Sequence, residues 1–183
     1  KYMFPKAHAA AYVMMAWRIA YCKIFYPLAY YCAFFSIRAV GFSYELMCLG
    51  KAKLERHMDD YRSRMDSLSK AEQDTYRDMR IVQEMYARGY EFWPIDVYKA
   101  KGVRFQVIDG KIMPSFNSIA GLGEKAAIAL EEAAAQGPFL SLDDLRARSK
   151  LSKTVVDKMV ELGILKGLPE SNQLSLFDFV SGD

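Results

Sequence analysis

The segment Ile119-Ala120-Gly121-Leu122-Gly123 does most to restrict how this 183-residue chain can fold. Two glycines two residues apart permit positive φ and leave no side chain over the turn. Glu124-Lys125 and an Ala-rich stretch follow at once, so the turn runs straight into a helix. Free N–H groups and the dipole at such a helix start favour an anion. The spacing thus lets backbone approach a phosphate closely, and Lys125 adds a point charge.

The pattern from Pro114 onward is helical, with helices expected at about 123–136, 141–148 and 152–162. A second, glycine-free turn, Lys150-Leu151-Ser152-Lys153, separates the last two, and Gly163 closes the final one. Ser152 also suits a plain helix N-cap. Upstream, residues 8–26 read as a helix between Pro5 and Pro27. Apolar residues lie on nearly every side of it, which predicts that it is largely buried. A second helix is expected over 28–38, and a long one over 43–66 with a charge-mixed surface from Lys51 to Arg64. Ser69-Lys70-Ala71-Glu72 is a capping box. It opens a helix with Tyr76, Met79, Val82 and Tyr86 on one face, and Gly89 is its stop. Residues 92–98 and 103–113 are rich in β-branched and aromatic types, with turn signals at Lys101-Gly102 and Asp109-Gly110, and read as a small β element.

The expected fold class is therefore mainly α. Residues 1–89 form a helical segment, 90–113 a small β connector, 114–169 a module of paired helices and hairpins, and 170–183 a flexible tail.

Charge does not by itself name a partner. The net charge is +3, and it is unevenly spread. Residues 1–89 hold fourteen Lys and Arg against nine Asp and Glu, a net of +5, while residues 90–183 hold eleven against thirteen, a net of −2. The basic excess lies away from the glycine turn. Cys22, Cys32 and Cys48 lack any CxxC or His/Cys cluster, which argues against a disulfide scaffold or zinc site and for buried thiols in a reducing cytoplasm. The longest uncharged run, residues 24–37, contains Pro27 and falls short of the roughly 20 apolar residues of a membrane span. No secretory signal opens the chain. It begins at Lys1 and enters a helical pattern almost at once, so it reads as a piece of something longer.

Two further constellations stand out. In Lys6-Ala7-His8-Ala9-Ala10-Ala11-Tyr12, His8 and Tyr12 share a helix face at i, i+4, and Lys6 precedes the helix start. A cation, an imidazole and a ring can hold a triphosphate and stack on a base; the plainer reading is a packed core His and Tyr. Near the end, Gln173-Leu174-Ser175-Leu176-Phe177 is a short peptide in which Gln173 can anchor by hydrogen bonds while Leu174, Leu176 and Phe177 are apolar. No pair of aspartates with metal-site spacing, no Ser/His/Asp set and no Walker loop is apparent. The pairs Asp59-Asp60, Glu131-Glu132 and Asp143-Asp144 read as solvated faces or caps. No catalytic residue and no metal ligand is expected within these 183 residues.

The 119–123 turn resembles the helix-hairpin-helix DNA-binding motif, and the 142–163 segment resembles a second copy. The tail peptide resembles the bacterial sliding-clamp-binding peptide. Together, residues 1–12, Ala16-Trp17-Arg18-Ile19-Ala20-Tyr21, Phe116-Asn117-Ser118-Ile119-Ala120-Gly121-Leu122-Gly123 and Gln173–Phe177 resemble the C-terminal part of the PolC-type DNA polymerase III α subunit of Gram-positive bacteria. The resemblance implies a parent enzyme that adds deoxynucleotides to a primer with Mg²⁺. Its palm carboxylates lie upstream of this segment, so this chain alone should be inactive and bind no cofactor itself. It implies that residues 1–89 are the end of the fingers, with Lys6, His8 and Tyr12 on the incoming dNTP. It implies that Gly121, Gly123, Lys125, Ser152 and Lys153 hold duplex DNA by its backbone. Gln173, Leu174, Leu176 and Phe177 would tether the sliding clamp, in a cytoplasmic replisome. Residues 41–110 carry no implied role. The alternatives are a standalone helix-hairpin-helix accessory protein tethered to the clamp, and an α-helical protein–protein adaptor.

Overall fold

The computed structural model describes residues 5–171. About 60% of it is helical, with a single two-stranded sheet among the described residues. Helix α1 (Lys6–Phe25) and α2 (Pro27–Ile37) are separated by Tyr26, and Pro27 sits in the first turn of α2, where its missing N–H costs nothing. The continuous helix expected over 43–66 is broken. Gly50, at φ 101°, ends the four-residue α3 (Tyr44–Met47) segment and starts α4 (Lys51–Ser63). Helix α5 (Lys70–Ala87) begins at the capping box: Ser69 Oγ accepts from Glu72 N, and Ser69 N donates to Glu72 Oε2. Those bonds, with Arg64, hold the Glu72 carboxyl down at about 2. Gly89 stops α5 at φ 83°.

The β element is smaller than the residue types suggest. Only β1 (Gln106–Ile108) and β2 (Lys111–Met113) pair, antiparallel, through a turn with Asp109 at φ 47° and Gly110 at φ 78°. Residues 92–98 contribute one isolated parallel bridge, Phe92 to Ile112. Pro94 has no donor to continue it, and Asp96 then bends the chain by accepting from Tyr98 N and Ala100 N. Lys101-Gly102 is not a hairpin turn either. It is a docking point: Lys101 O and Gly102 O accept from Phe116 N and Asn117 N, and Gly102 N donates to Glu131 Oε2 at 2.5 Å. A Cβ on Gly102 would lie 3.0 Å from Ile128 backbone atoms.

Downstream, a 3-10 turn at Phe116–Ser118 leads to α6 (Glu124–Ala135), α7 (Leu142–Ser149) and α8 (Lys153–Glu161), close to expectation. The chain then folds back, and Pro169 O and Glu170 O accept from Leu142 N and Asp143 N. The tail peptide at 173–177 lies outside the described residues.

Two apolar cores result. One gathers Tyr31, Phe35, Met47, Leu54, Met79, Val82 and Met85 around the aromatic group Phe35, Phe42, Phe92 and Phe105, whose ring centres lie 4.9–5.9 Å apart. The other gathers Tyr44, Ile95, Phe116, Ile119, Leu122, Leu130, Leu145, Leu151 and Met159. Neighbouring residues Ile112 and Met113 belong to different cores.

Helix α1 contradicts its expected burial. It has no buried residue, and Trp17 is 78% exposed. Its apolar residues surround the helix with almost no preferred side, and the described chain offers no surface to cover them. Its C-terminal end is tied down. Lys23 Nζ reaches Glu84 Oε2 at 2.7 Å, and Arg88 donates to Lys23 O. Cys22, on this helix, is likewise exposed rather than buried. Cys32 and Cys48 are partly covered, and burial pushes the Cys32 thiol up to about 11.

Gly41 marks the tightest approach in the first half. A Cβ there would fall 2.4 Å from Thr75 N, and Gly41 N donates to the buried Asp78 carboxylate at 2.8 Å. Gly41→Ala must push the loop off α5. It should lower unfolding free energy by about 1–3 kcal/mol, read as a fall in the midpoint of thermal unfolding.

Candidate nucleic-acid interface

The first hairpin is built from an apolar anchor and an open backbone. Ile119 and Leu122 are buried in the second core, and Leu122 N donates to Ile119 O at 3.1 Å, closing the turn. Gly121 takes φ 87°, a conformation that suits only glycine without strain. Gly123 does not. It is extended (φ −67°, ψ 161°) and serves as N-cap of α6 with open space around it. Both glycines and Lys125 are exposed. Among the described residues, the amides of Gly121, Gly123, Glu124 and Lys125 have no hydrogen-bond partner. The element before this turn is a three-residue 3-10 turn, not an α-helix.

The second hairpin repeats this geometry with different residues. Lys150 stands in the left-handed region (φ 57°, ψ 26°) where the first hairpin has Gly121. Leu151 is buried, as Leu122 is. Ser152 is extended (φ −69°, ψ 153°) and caps α8, as Gly123 caps α6. Its Oγ accepts from Val155 N at 3.4 Å. The amides of Lys153 and Thr154 have no partner among the described residues. So Ser152 is a cap and Lys153 opens the helix. The residue sequence reading missed is Lys150, whose αL backbone makes the second turn equivalent to the first. A lysine carries no local signal for that conformation.

Helix α7 differs. Its N-terminal amides are taken by Ser141 Oγ, Pro169 O and Glu170 O, so it offers no open end. Arg148 is occupied as well. It donates to Ala133 O, Gly137 O at 3.0 Å and Pro138 O at 3.1 Å and lies over the Phe139 ring. It closes the C-terminal carbonyls of α6 and joins α6 to α7. The acidic pairs are structural too: Glu131 receives Gly102 N and Lys101, and Asp144 receives Leu140 N.

Lys6, His8 and Tyr12 lie together on α1. Lys6 is the first residue of the helix rather than its forerunner, with Pro5 as the cap. The His8 and Tyr12 rings meet edge to face at 4.6 Å. All three are exposed; neither ring is part of a core. Residues 173–177 lie outside the described residues. No group of His, Cys, Asp and Glu able to hold a metal occurs among the described residues, and no described helix is long and apolar enough to cross a membrane.

Two hairpins, each opening onto a helix N-terminus, lie within residues 89–174, which match the family described as helix-hairpin-helix motif. The match takes in both the β connector and the hairpins. Along 97% of its length the chain is similar to PolC-type DNA polymerase III: it is 47% identical over 180 residues to the enzymes of Streptococcus pneumoniae serotype 2 (strain D39 / NCTC 7466) and Streptococcus suis (strain 98HAH33), and 44% identical over 177 residues to that of Clostridium perfringens (strain 13 / Type A). The chain spans 12% of the length of each of these relatives.

Backbone conformation separates the two turn residues. Lys150→Gly should leave stability unchanged or raise it by up to about 1 kcal/mol, whereas Lys150→Val should lower it by about 1–3 kcal/mol. Chemical denaturation of the two variants checks this.

Proposed function

We propose that this chain is the duplex-holding part of a template-directed DNA polymerase, gripping primer–template by its phosphates. The observation that carries the proposal is the repeated hairpin. Two exposed turns place unpartnered amides at the starts of α6 and α8, where N–H groups and helix dipoles favour phosphate. The relatives are named as DNA polymerases, and the duplex they would copy has the backbone such turns recognise. Phosphates and amides carry no base information, so binding is independent of sequence. The half of the chain holding the hairpins is net acidic. Attraction is therefore local, from Lys125, Lys150, Lys153 and the amides.

In this reading the exposed Lys6, His8 and Tyr12 meet the incoming dNTP, Lys6 by charge and the rings by stacking. Residues 173–177 tether the sliding clamp, with Gln173 hydrogen-bonded and Leu174, Leu176 and Phe177 in an apolar pocket of the clamp. The chemistry of nucleotide addition belongs to carboxylates and Mg²⁺ elsewhere in the parent enzyme.

Gly123 gives the cleanest test, because its backbone suits any residue and nothing crowds it. Gly123→Val should cost only about 1 kcal/mol of stability, since valine caps a helix less well than glycine, yet weaken duplex binding about tenfold by standing off the phosphate, as measured by fluorescence anisotropy at low salt. Gly121→Val should lose both stability and binding, since φ 87° strains a branched side chain. The logarithm of the binding constant should fall with log salt on a shallow slope, with roughly two to four phosphates neutralised. Unchanged affinity in both variants refutes the assignment. Separately, Gln173, Leu176 and Phe177 changed together to Ala should abolish clamp binding in the intact enzyme and spare synthesis on short templates.

A further inference from the structure

Glu45 belongs to the four-residue α3, far from either hairpin in sequence, yet its carboxylate reaches both hairpin units. Oε1 accepts from Ala120 N at 3.0 Å, the residue just before Gly121. The same oxygen receives Lys158 Nζ at 2.9 Å, on the helix that the second hairpin opens. Oε2 accepts from Ser43 Oγ at 3.0 Å. The Glu45 side chain is only 19% exposed. Its neighbours Tyr44 and Met47 are buried in the two different cores, which fixes the backbone beneath it. Burial works to raise its pKa, but hydrogen bonds from Lys158, its own backbone, Ala120 and Ser43 outweigh this and leave it below the usual carboxylate range.

We propose that Glu45 is a positioning residue that sets the two hairpins at a fixed separation for one duplex, an inference that rests on the duplex-holding function. The argument is geometric. Each hairpin presents only a few amides, so both must meet phosphates at once. Two weak contacts act as one strong site only if their spacing is already set. One carboxylate that bonds the first turn and the second hairpin's helix supplies that spacing. It also keeps Lys158 turned inward, so Lys158 is not one of the cations that meet phosphate.

The sign of the effect separates this from simple electrostatics. Removing an acid beside a phosphate-binding surface should tighten binding if charge is all that matters. Removing a latch should weaken it. Duplex affinity of the full chain is measured well below its unfolding temperature for Glu45→Gln, Glu45→Ala, Lys158→Met and the double variant Glu45→Gln with Lys158→Met, across a salt series. Glu45→Ala should weaken binding about tenfold. Glu45→Gln, which keeps an acceptor for Ala120 N, should weaken it less. The double variant should be no worse than the poorer single one, because both break the same contact. The salt slope should not change, since neither side chain touches phosphate. Hydrogen exchange at the Ala120 amide should quicken in Glu45→Ala and not in Lys158→Met. Where Glu45→Ala fails to fold, Glu45→Gln and Lys158→Met carry the same test. Equal or tighter binding overturns the proposal, as does a slope steeper by about one phosphate, which would show Lys158 released onto DNA. If Gly123→Val weakens binding and the Glu45 variants do not, the positioning role fails alone. If Gly123→Val and Gly121→Val have no effect either, the duplex-holding function fails with it.

Discussion

The rest of the structure depends on how α3 is gripped. This single turn of helix sends Tyr44 into the hairpin core and Met47 into the core of the first half. Tyr44 is 2% exposed and Met47 fully buried, so α3 cannot shift without opening apolar contacts on both sides. The β connector does the same job from another direction, with Ile112 in one core and Met113 in the other, because successive strand residues face opposite ways. Two cores that share a turn of helix and a strand are not free to hinge as separate domains. Packing on both sides therefore fixes the backbone that carries Glu45, whose carboxylate meets Ala120 and Lys158 at the seam.

Much of this was legible in the sequence, and the reasons differ by element. The Ser69–Glu72 capping box, the Gly89 stop and the Asp109-Gly110 turn are local rules, and each forms where the residues say it should. Helices α6 to α8 follow for the same reason. The break at Gly50 was not legible: a lone glycine inside a helical pattern is often tolerated, and only φ 101° here makes it a boundary. The strands expected over 92–98 failed because β-branched and aromatic residues report a half-buried surface, not a paired one. Phe92, Ile95 and Val97 are buried all the same, in an isolated bridge, a loop and a turn.

The burial of α1 was misread for a related cause. Pro5 and Pro27 bound a helical stretch, expected over 8–26 and formed over 6–25, but they do not say what covers it. With apolar side chains on all sides, the pattern selects no face, and the described chain meets only its C-terminal end. At the hairpins, Gly121 announced itself while Lys150 did not. Both adopt the left-handed backbone, but glycine does so freely and lysine only because Leu151 and the ends of α7 and α8 hold it there. Glu45 was invisible for a different reason. Its contact with Ala120 bridges 75 residues, and no local pattern encodes a pairing made by tertiary packing.

Under the proposed function an acidic half-chain holds a polyanion, and these features bear on how it would do so. Bulk charge works against it, with thirteen Asp and Glu against eleven Lys and Arg over 90–183. Three acids near the hairpins are engaged inward: Glu45 on Lys158, Glu131 on Lys101 and Gly102, Asp144 on Arg148 and Leu140. Each such pair is close to neutral from a distance, and beyond about 8–10 Å salt screens what remains. What faces outward at the two turns is amide N–H, Lys125, Lys150 and Lys153, with the Glu124 carboxylate beside them. Such a surface attracts phosphate at contact but weakly at long range. Under the proposed function it would steady a duplex already delivered to it and do little to capture one from solution, which suits a segment flanked by the proposed nucleotide-binding helix on one side and the proposed clamp tether on the other.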